Sequence, residues 1–92
     1  MTGLGVTYAL RIKASAAKEL DAIDSTPNRR RIVDAIQTLV VDPRPSTCKK
    51  LAGRDAAYRL RVGDYRIVYT VNDREIIVEI IKIGHRREVY RG

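Results

Sequence analysis

The 92-residue chain is poor in cysteine, in large aromatic residues and in acidic groups. Its only cysteine is Cys48, which excludes a disulfide within the chain and a cysteine-based zinc site. Phe and Trp are absent, and no apolar run approaches the length needed to span a bilayer. The N-terminus lacks a basic stretch followed by an apolar block, so we expect no secretory leader and a cytoplasmic location.

The shortage of acidic residues leaves the chain strongly basic, with 18 Lys and Arg against 11 Asp and Glu, a net charge of +7 and a pI near 10.0. This balance favours a polyanionic partner or an acidic protein, with a merely solvated cationic surface as the alternative. Asp64 falls in a turn and Glu79 stands alone in a strand, so the carboxylates form no cluster. We therefore expect neither a metal nor another cofactor. The length predicts a single domain over residues 1–92.

Residues 58–69 carry the strongest structural signal in the chain. Apolar and polar residues alternate on both sides of Gly63-Asp64, which predicts a hairpin with a two-residue turn. That turn sets four opposed pairs: Val62 and Tyr65, Arg61 and Arg66, Leu60 and Ile67, and Arg59 and Val68. Opposed side chains share a face of the sheet, so the arginines gather on the face opposite Leu60 and Ile67.

The arginine face of the predicted hairpin indicates a binding surface. Like charges that face each other destabilise a sheet, so we interpret the arginine face as a binding surface for an anion such as a phosphate backbone. The three hairpin tyrosines fall on the opposite face, and we expect them in the core rather than as stacking platforms for bases; they are Tyr58, Tyr65 and Tyr69.

The residues before the hairpin predict one strand and two helices. Alternation predicts a strand over residues 5–13, and Ser15 is a suitable N-cap for a short helix. Thr26 as N-cap and Pro27 at the first helical position suit a second helix that ends near residue 41. We interpret the three arginines at residues 29–31 as a solvated helix face, with a nucleic-acid or partner contact as the alternative.

A strongly apolar run over residues 75–83 predicts a last strand, buried on much of both faces and joined to the hairpin by a turn at residues 72–73. The expected order is β-α-α-β-β-β. We therefore predict an α+β fold in which two N-terminal helices pack on one face of a small twisted antiparallel sheet, followed by a basic C-terminal tail.

The residues after the last strand add chemistry to the arginine face. The strand should run back beside the hairpin, so His85 and Arg86 are expected near the arginines. Cleavage of RNA by the ribose 2′-hydroxyl needs a base, cations for the dianionic phosphorane, and an acid for the leaving oxygen. His85 suits acid or base work near neutral pH, and Tyr90 suits base work if nearby arginines lower its pKa. The arginines suit a grip on phosphate.

The chain resembles the RelE/ParE superfamily of toxins from bacterial and archaeal toxin–antitoxin pairs. Four segments carry the resemblance: Lys50-Leu51-Ala52-Gly53, Tyr58-Arg59-Leu60-Arg61, Gly63-Asp64-Tyr65-Arg66-Ile67-Val68-Tyr69 and Gly84-His85-Arg86-Arg87-Glu88-Val89-Tyr90. The resemblance implies the fold described above. It also implies, for RelE-type members, a metal-independent endoribonuclease that cuts mRNA in the ribosomal A site and arrests translation and growth.

The resemblance also implies roles for single residues. Arg59 and Arg61 match basic positions of these toxins, and Arg66 matches their phosphate-gripping arginine. Arg86 matches the arginine that assists the leaving group, and Tyr90 the tyrosine that acts as base. The expected RNA-binding residues are Lys49, Lys50, Arg59, Arg61 and Arg87.

Two departures from the family pattern affect the expected proton transfer. Positions 59 and 61 carry arginine where such toxins often carry lysine, which removes the option of a lysine base. The segment from residue 84 to residue 90 is shorter than in the best-known member, which leaves His85 as the alternative to Tyr90.

Two other readings remain open at this point. A ParE-like inhibitor of DNA gyrase would share the fold, and a silent relative would bind RNA without cutting it. The arginine and tyrosine set favours the ribonuclease. Both toxin readings imply a cognate antitoxin whose acidic and apolar residues cover this domain, and the ribonuclease reading adds the ribosome and mRNA as partners.

Overall fold

The structure is a computed structural model that describes residues 6–53 and 56–85. Arg86, Arg87 and Tyr90, which the sequence assigns to the site, lie outside the described residues. Seven elements follow in chain order: β1 (Ala9–Ile12), α1 (Ala14–Asp21), α2 (Thr26–Val41), β2 (Lys49–Lys50), β3 (Ala57–Val62), β4 (Tyr65–Asn72) and β5 (Ile77–His85).

The five strands form one sheet in the order β1-β5-β4-β3-β2, and the two helices pack against it. The predicted α+β fold class is confirmed. The sheet is mixed rather than wholly antiparallel, because β1 pairs in parallel with β5. A parallel neighbour needs a long crossover connection, and the path through both helices and the hairpin supplies it. The two-residue strand β2 is an addition that the sequence did not predict.

The central hairpin has the predicted register. Val62 pairs with Tyr65, Arg61 with Arg66, Leu60 with Ile67, and Arg59 with Val68. Gly63 has a φ of +60°, in the left-handed region that a glycine adopts without steric strain. The turn chemistry and the alternation therefore agree, and together they fix which side chains share a face.

Strand β5 contains a β-bulge that changes which of its side chains share a face of the sheet. Tyr69 pairs with Ile80 and Val68 with Lys82, so one extra residue of β5 is inserted between them. Thr70 pairs with Glu79. Because Val68 and Thr70 alternate regularly on β4, the bulge places Glu79 and Lys82 on one face despite their odd spacing.

Both helices begin earlier than their predicted caps imply, α1 by two residues and α2 by one. The hydroxyl of Ser25 accepts a hydrogen bond from the backbone N–H of Asn28 at 3.3 Å, so Ser25, not Thr26, is the N-cap of α2. Helix α1 starts directly after Lys13, which places Ser15 inside the helix instead of at its cap. None of the helices in residues 6–53 and 56–85 is long and apolar enough to cross a bilayer.

The core lies between the helices and one face of the sheet. Its largest fully buried side chains come from α2, β4 and β5: Ile32, Leu39, Ile67, Tyr69, Val78, Ile80 and Ile83. Tyr58 and Tyr65 pack against this cluster while partly exposed. The expectation that the hairpin tyrosines face the core is confirmed. The other face of β3 and β4 is left for the arginines.

A network centred on Arg44 ties the loop after α2 to the far end of the sheet. The Arg44 guanidinium donates to both carboxylate oxygens of Asp73, at 2.7 and 3.3 Å, and to the Tyr58 hydroxyl at 2.8 Å. Tyr8 donates to the same carboxylate at 2.7 Å. These hydrogen bonds, first from Arg44 and then from Tyr8, lower the pKa of Asp73 below its ordinary value. The buried Tyr69 hydroxyl adds a 2.7 Å hydrogen bond to the Pro43 carbonyl. We call these contacts the Arg44 network.

Candidate anion-binding site

A pocket of about 120 Å³ opens on the sheet face opposite the core. Its lining is Thr47, Lys49, Arg59, Arg61 and Arg66. We call it the basic pocket. In the described part of the chain its walls contain four cations, one hydroxyl and no carboxylate. The arginine cluster that the alternation predicted is therefore present in the structure.

Strand register explains why the cations meet. Arg61 is paired with Arg66 across β3 and β4, and Lys49 is paired with Arg59 across β2 and β3. Both pairs place like charges directly opposite each other, an arrangement that destabilises a sheet by itself. Two such pairs on one face concentrate positive charge in the basic pocket.

Burial strengthens the field at Arg66. Arg66 is buried, with only 6% of its surface exposed. Arg61 is exposed, and its Nε donates a hydrogen bond to the carbonyl of Gly63 at 3.3 Å. Guanidinium stays charged in proteins, so Arg66 carries its charge into a partly desolvated site. Its partner on β5 is Gly84, which contributes no side chain beside it. An anion in this pocket would meet a charge that water screens poorly.

The residues that the sequence predicts to bind RNA divide between the two faces of the sheet. Lys49, Arg59 and Arg61 line the basic pocket. Lys50 is paired with Tyr58 on the core side, so the structure does not bring it to the pocket. Arg87 lies outside the described residues, and its contact with RNA stays a prediction.

His85 also lies away from the basic pocket. It is paired with Tyr65, and the two rings meet edge to face with centroids 5.6 Å apart. Opposed residues share a face, so the imidazole stands on the helix side. There it lines a cavity of about 410 Å³ whose walls also include Glu19, Asp24 and Ser25. The end of β5 returns to the level of Arg66 as expected, but the His85 side chain points to the other side of the sheet. The catalytic roles of Arg86 and Tyr90 concern residues outside those described.

Thr47 is the pocket residue that sequence reasoning missed. It lies in the loop held by the Arg44 network, and no periodic pattern marks it. Thr47 and Arg61 also border an apolar groove of about 320 Å³ between α2 and β3, with Leu39, Leu60 and Val62 in its walls. No three His, Cys, Asp or Glu side chains among residues 6–53 and 56–85 are grouped to hold a metal ion.

The arrangement suits recognition of a phosphodiester. Guanidinium groups offer paired N–H donors that match phosphate oxygens, and an ammonium and a hydroxyl add further donors. Donors fixed on paired strands need little reorganisation when charge develops on a bound phosphate, which is the condition for electrostatic stabilisation of a transition state.

Fold and pocket together define a small α+β domain with a strongly cationic pocket, and comparison with known proteins assigns its family. The model for the "ParE toxin of type II toxin-antitoxin system, parDE" matches residues 10–90. The chain belongs to this toxin family, within the RelE/ParE superfamily.

Individual relatives carry the RelE name. A Methanocaldococcus jannaschii protein named as toxin RelE1 is 34% identical over 68 residues, which cover 71% of this chain and 76% of that protein. The RelE–RelB complex of Pyrococcus horikoshii matches with 30% identity and a TM-score of 0.78, covering 88% of this chain and 97% of that one. The isolated Escherichia coli RelE toxin matches with 28% identity and a TM-score of 0.75, covering 91% and 92%. The chain is thus a toxin of RelE type from a toxin–antitoxin system.

Proposed function

We propose that this toxin is a ribosome-dependent endoribonuclease that cuts mRNA in the A site and thereby stops translation. The observation that carries the proposal is the basic pocket, in which four cations from three strands and a threonine face one small volume. A toxin that acted only by covering a protein surface would not need two opposed like-charge pairs. The target would place the toxin in the cytoplasm.

The proposed reaction is attack of a ribose 2′-oxygen on the adjacent phosphorus. A base takes the 2′ proton, the 2′-oxygen bonds to phosphorus, and the bond to the 5′-oxygen breaks as that oxygen gains a proton. The products are a 2′,3′-cyclic phosphate and a 5′-hydroxyl. Arg61 and Arg66 would hold the phosphate and stabilise the added negative charge of the phosphorane.

The assignment of proton transfer follows from the position of His85. Its ring packs on Tyr65 on the helix side of the sheet, which favours Tyr90 over His85 as the group that takes the 2′ proton. Tyr90 would need a lowered phenol pKa, and nearby guanidinium groups lower the pKa of a phenol. Arg86 would assist the departing 5′-oxygen.

The same surface suits a cognate antitoxin. Three solved relatives are RelE–RelB or RelBE complexes, from Pyrococcus horikoshii, Mycobacterium tuberculosis and E. coli. We expect the antitoxin of this toxin to place acidic residues at the basic pocket and apolar side chains in the adjoining groove between α2 and β3.

Primer extension on a defined mRNA tests the proposal. The toxin is incubated with translating ribosomes in one tube and with naked mRNA in another, beside Arg61→Ala and, as a matched loss of one exposed charge on α2, Arg30→Ala. We expect cuts at the A-site codon only when ribosomes are present, lost in Arg61→Ala and kept in Arg30→Ala. Absence of cuts, together with inhibition of DNA supercoiling by gyrase, would contradict the ribonuclease and support the non-enzymatic function that the ParE name implies.

A further inference from the structure

The outer edge of β5 changes its partner halfway along the strand. From Ile77 to Ile80 it pairs with β1, and the backbone N–H of Lys13 extends this contact to the Ile80 carbonyl at 3.0 Å. There the chain turns from β1 into α1. Beyond Ile80, no strand in residues 6–53 and 56–85 pairs with this edge.

Beyond the end of β1, a glutamate of α1 binds the outer edge of β5. Glu19 Oε1 accepts a hydrogen bond from the backbone N–H of Ile83 at 2.9 Å. Its Oε2 accepts from Lys82 Nζ, also at 2.9 Å. One partly buried carboxylate therefore binds the side chain of Lys82 and the backbone of Ile83, which are consecutive residues of β5. A charged acceptor on a backbone N–H makes a stronger bond than a neutral one.

The other side of the same segment is held by the hairpin. Gly84 pairs with Arg66 and His85 with Tyr65, and the His85 and Tyr65 rings are in contact. The end of β5 is thus fixed between α1 and β4 at the level of the basic pocket. Arg86 follows His85 by a single peptide bond, so contacts that fix the backbone of His85 also fix the point to which Arg86 is joined.

We infer that Glu19 is a positioning residue for the C-terminal part of the active site. It acts by holding the end of β5 against α1 and touches neither RNA nor the basic pocket. The inference rests on the proposed function, because Arg86 and Tyr90 matter only if the toxin cuts RNA. Small displacements of a catalytic group reduce rates strongly, about 100-fold for 1 Å.

The first test compares variants that remove different parts of the contact. Glu19→Ala removes both hydrogen bonds, Glu19→Gln keeps a neutral acceptor for Ile83, and Lys82→Ala removes only the ion pair. Glu75→Ala, an exposed glutamate in the turn before β5, is the matched control. We expect Glu19→Ala to lower kcat for ribosome-dependent cleavage about 10- to 100-fold with KM nearly unchanged. Glu19→Gln and Lys82→Ala should stay within about threefold of the wild type, like Glu75→Ala.

A second readout follows the hold on β5 itself. The amide of Ile83 should exchange its hydrogen faster in Glu19→Ala than in the wild type, and at the wild-type rate in Lys82→Ala. If Glu19→Ala does not melt cooperatively, Glu19→Asp serves in its place, because its side chain is one methylene shorter and cannot reach both partners.

A double variant separates positioning from general destabilisation. If Glu19 acts through the C-terminal residues, Glu19→Ala should cause a smaller loss of kcat in an Arg86→Ala background than in the wild type. A full additional loss there, or wild-type cleavage by Glu19→Ala, would overturn the inference while leaving the proposed function intact. A wild-type toxin that does not cut at all would instead overturn the proposed function, and the inference with it.

Discussion

The Arg44 network and the basic pocket use arginine in opposite ways. The Arg44 guanidinium donates hydrogen bonds to the Asp73 carboxylate and the Tyr58 hydroxyl, and the carboxylate neutralises its charge directly. In the basic pocket, Arg61 faces Arg66 and Arg59 faces Lys49 across the sheet, with no carboxylate in the described walls. The first arrangement pairs opposite charges, whereas the second places like charges opposite each other on neighbouring strands.

The difference shows how the chain separates stability from function. The Arg44 network fastens the loop that contains Thr47 and leads into Lys49 of β2, and both of these residues line the basic pocket. The hairpin is backed by a fully buried core around Tyr69 and Ile67. The Arg44 network thus holds in place the loop that contributes Thr47 to the basic pocket.

The largest expected effect is on catalysis, from Arg61→Ala. Removing a cation that faces the developing phosphorane should reduce cleavage about 100- to 1,000-fold. Because the change also relieves the repulsion with Arg66, the Tm should stay constant or rise slightly. Cleavage rates and thermal melts of the same preparation check both expectations. A clear fall in Tm would mean that Arg61 belongs with the stabilising arginines, and the contrast with Arg44 would fail.

The reciprocal change, Arg44→Ala, should act mainly on stability. It breaks hydrogen bonds to Asp73 and Tyr58, and because these groups are largely exposed, we expect a Tm lower by about 5 °C. Cleavage should fall only a fewfold, through a looser loop. Differential scanning calorimetry beside the cleavage assay gives both numbers. A Tm equal to that of the wild type would show that the network does not hold the fold.

Acidification should weaken the Arg44 network before it affects the basic pocket. The pKa of Asp73 is held below its ordinary value, so folding favours the ionised carboxylate. That contribution is complete above the unfolded pKa of about 4 and is lost as the pH falls through the lower folded pKa. Urea midpoints of the wild type and Asp73→Asn should differ at pH 7 and converge once the pH has fallen below the folded pKa of Asp73. A gap that persists in acid would point to shape rather than charge.

The smallest expected effect comes from Thr47→Val, which keeps the volume and removes the hydroxyl. One neutral donor among four cations contributes little, so RNA affinity should fall by about two- to fivefold, with the salt dependence of binding unchanged. Binding measured at several salt concentrations checks this. A change in the salt slope would indicate that Thr47 positions a cation instead of contacting RNA.

The hairpin and its arginine cluster were predictable because their signals are local. A two-residue turn between alternating runs leaves one register, and the register alone decides that Arg61 faces Arg66. The spacing of Glu79 and Lys82, odd for a regular strand, was a signal of the bulge that was not used. His85 stands on the helix side of the sheet because it pairs with Tyr65, whereas the residue that pairs with Arg66 is Gly84. The position of the strand end alone therefore does not bring the imidazole to the arginines.

Other features depend on contacts that a single sequence does not encode in a pattern. Strand β2 is two residues long, too short for any alternation. Its pairing with β3 is what brings Lys49 to Arg59 and turns Lys50 away. The parallel place of β1 next to β5, and the contact of Glu19 with Ile83, join parts of the chain that lie far apart in sequence. Such contacts are decided by the packing of the whole domain.

The pairing of β1 with β5 also has a consequence for how the toxin comes into being. Strand β1 pairs with β5, so Ala9 can pair with Ile77 only after the intervening helices and hairpin have been synthesised. Contacts of such long sequence separation form late and slow folding. A nascent chain in which β5 has not yet been synthesised therefore lacks the strand that joins β1 to the central hairpin, and with it the segment that Glu19 contacts.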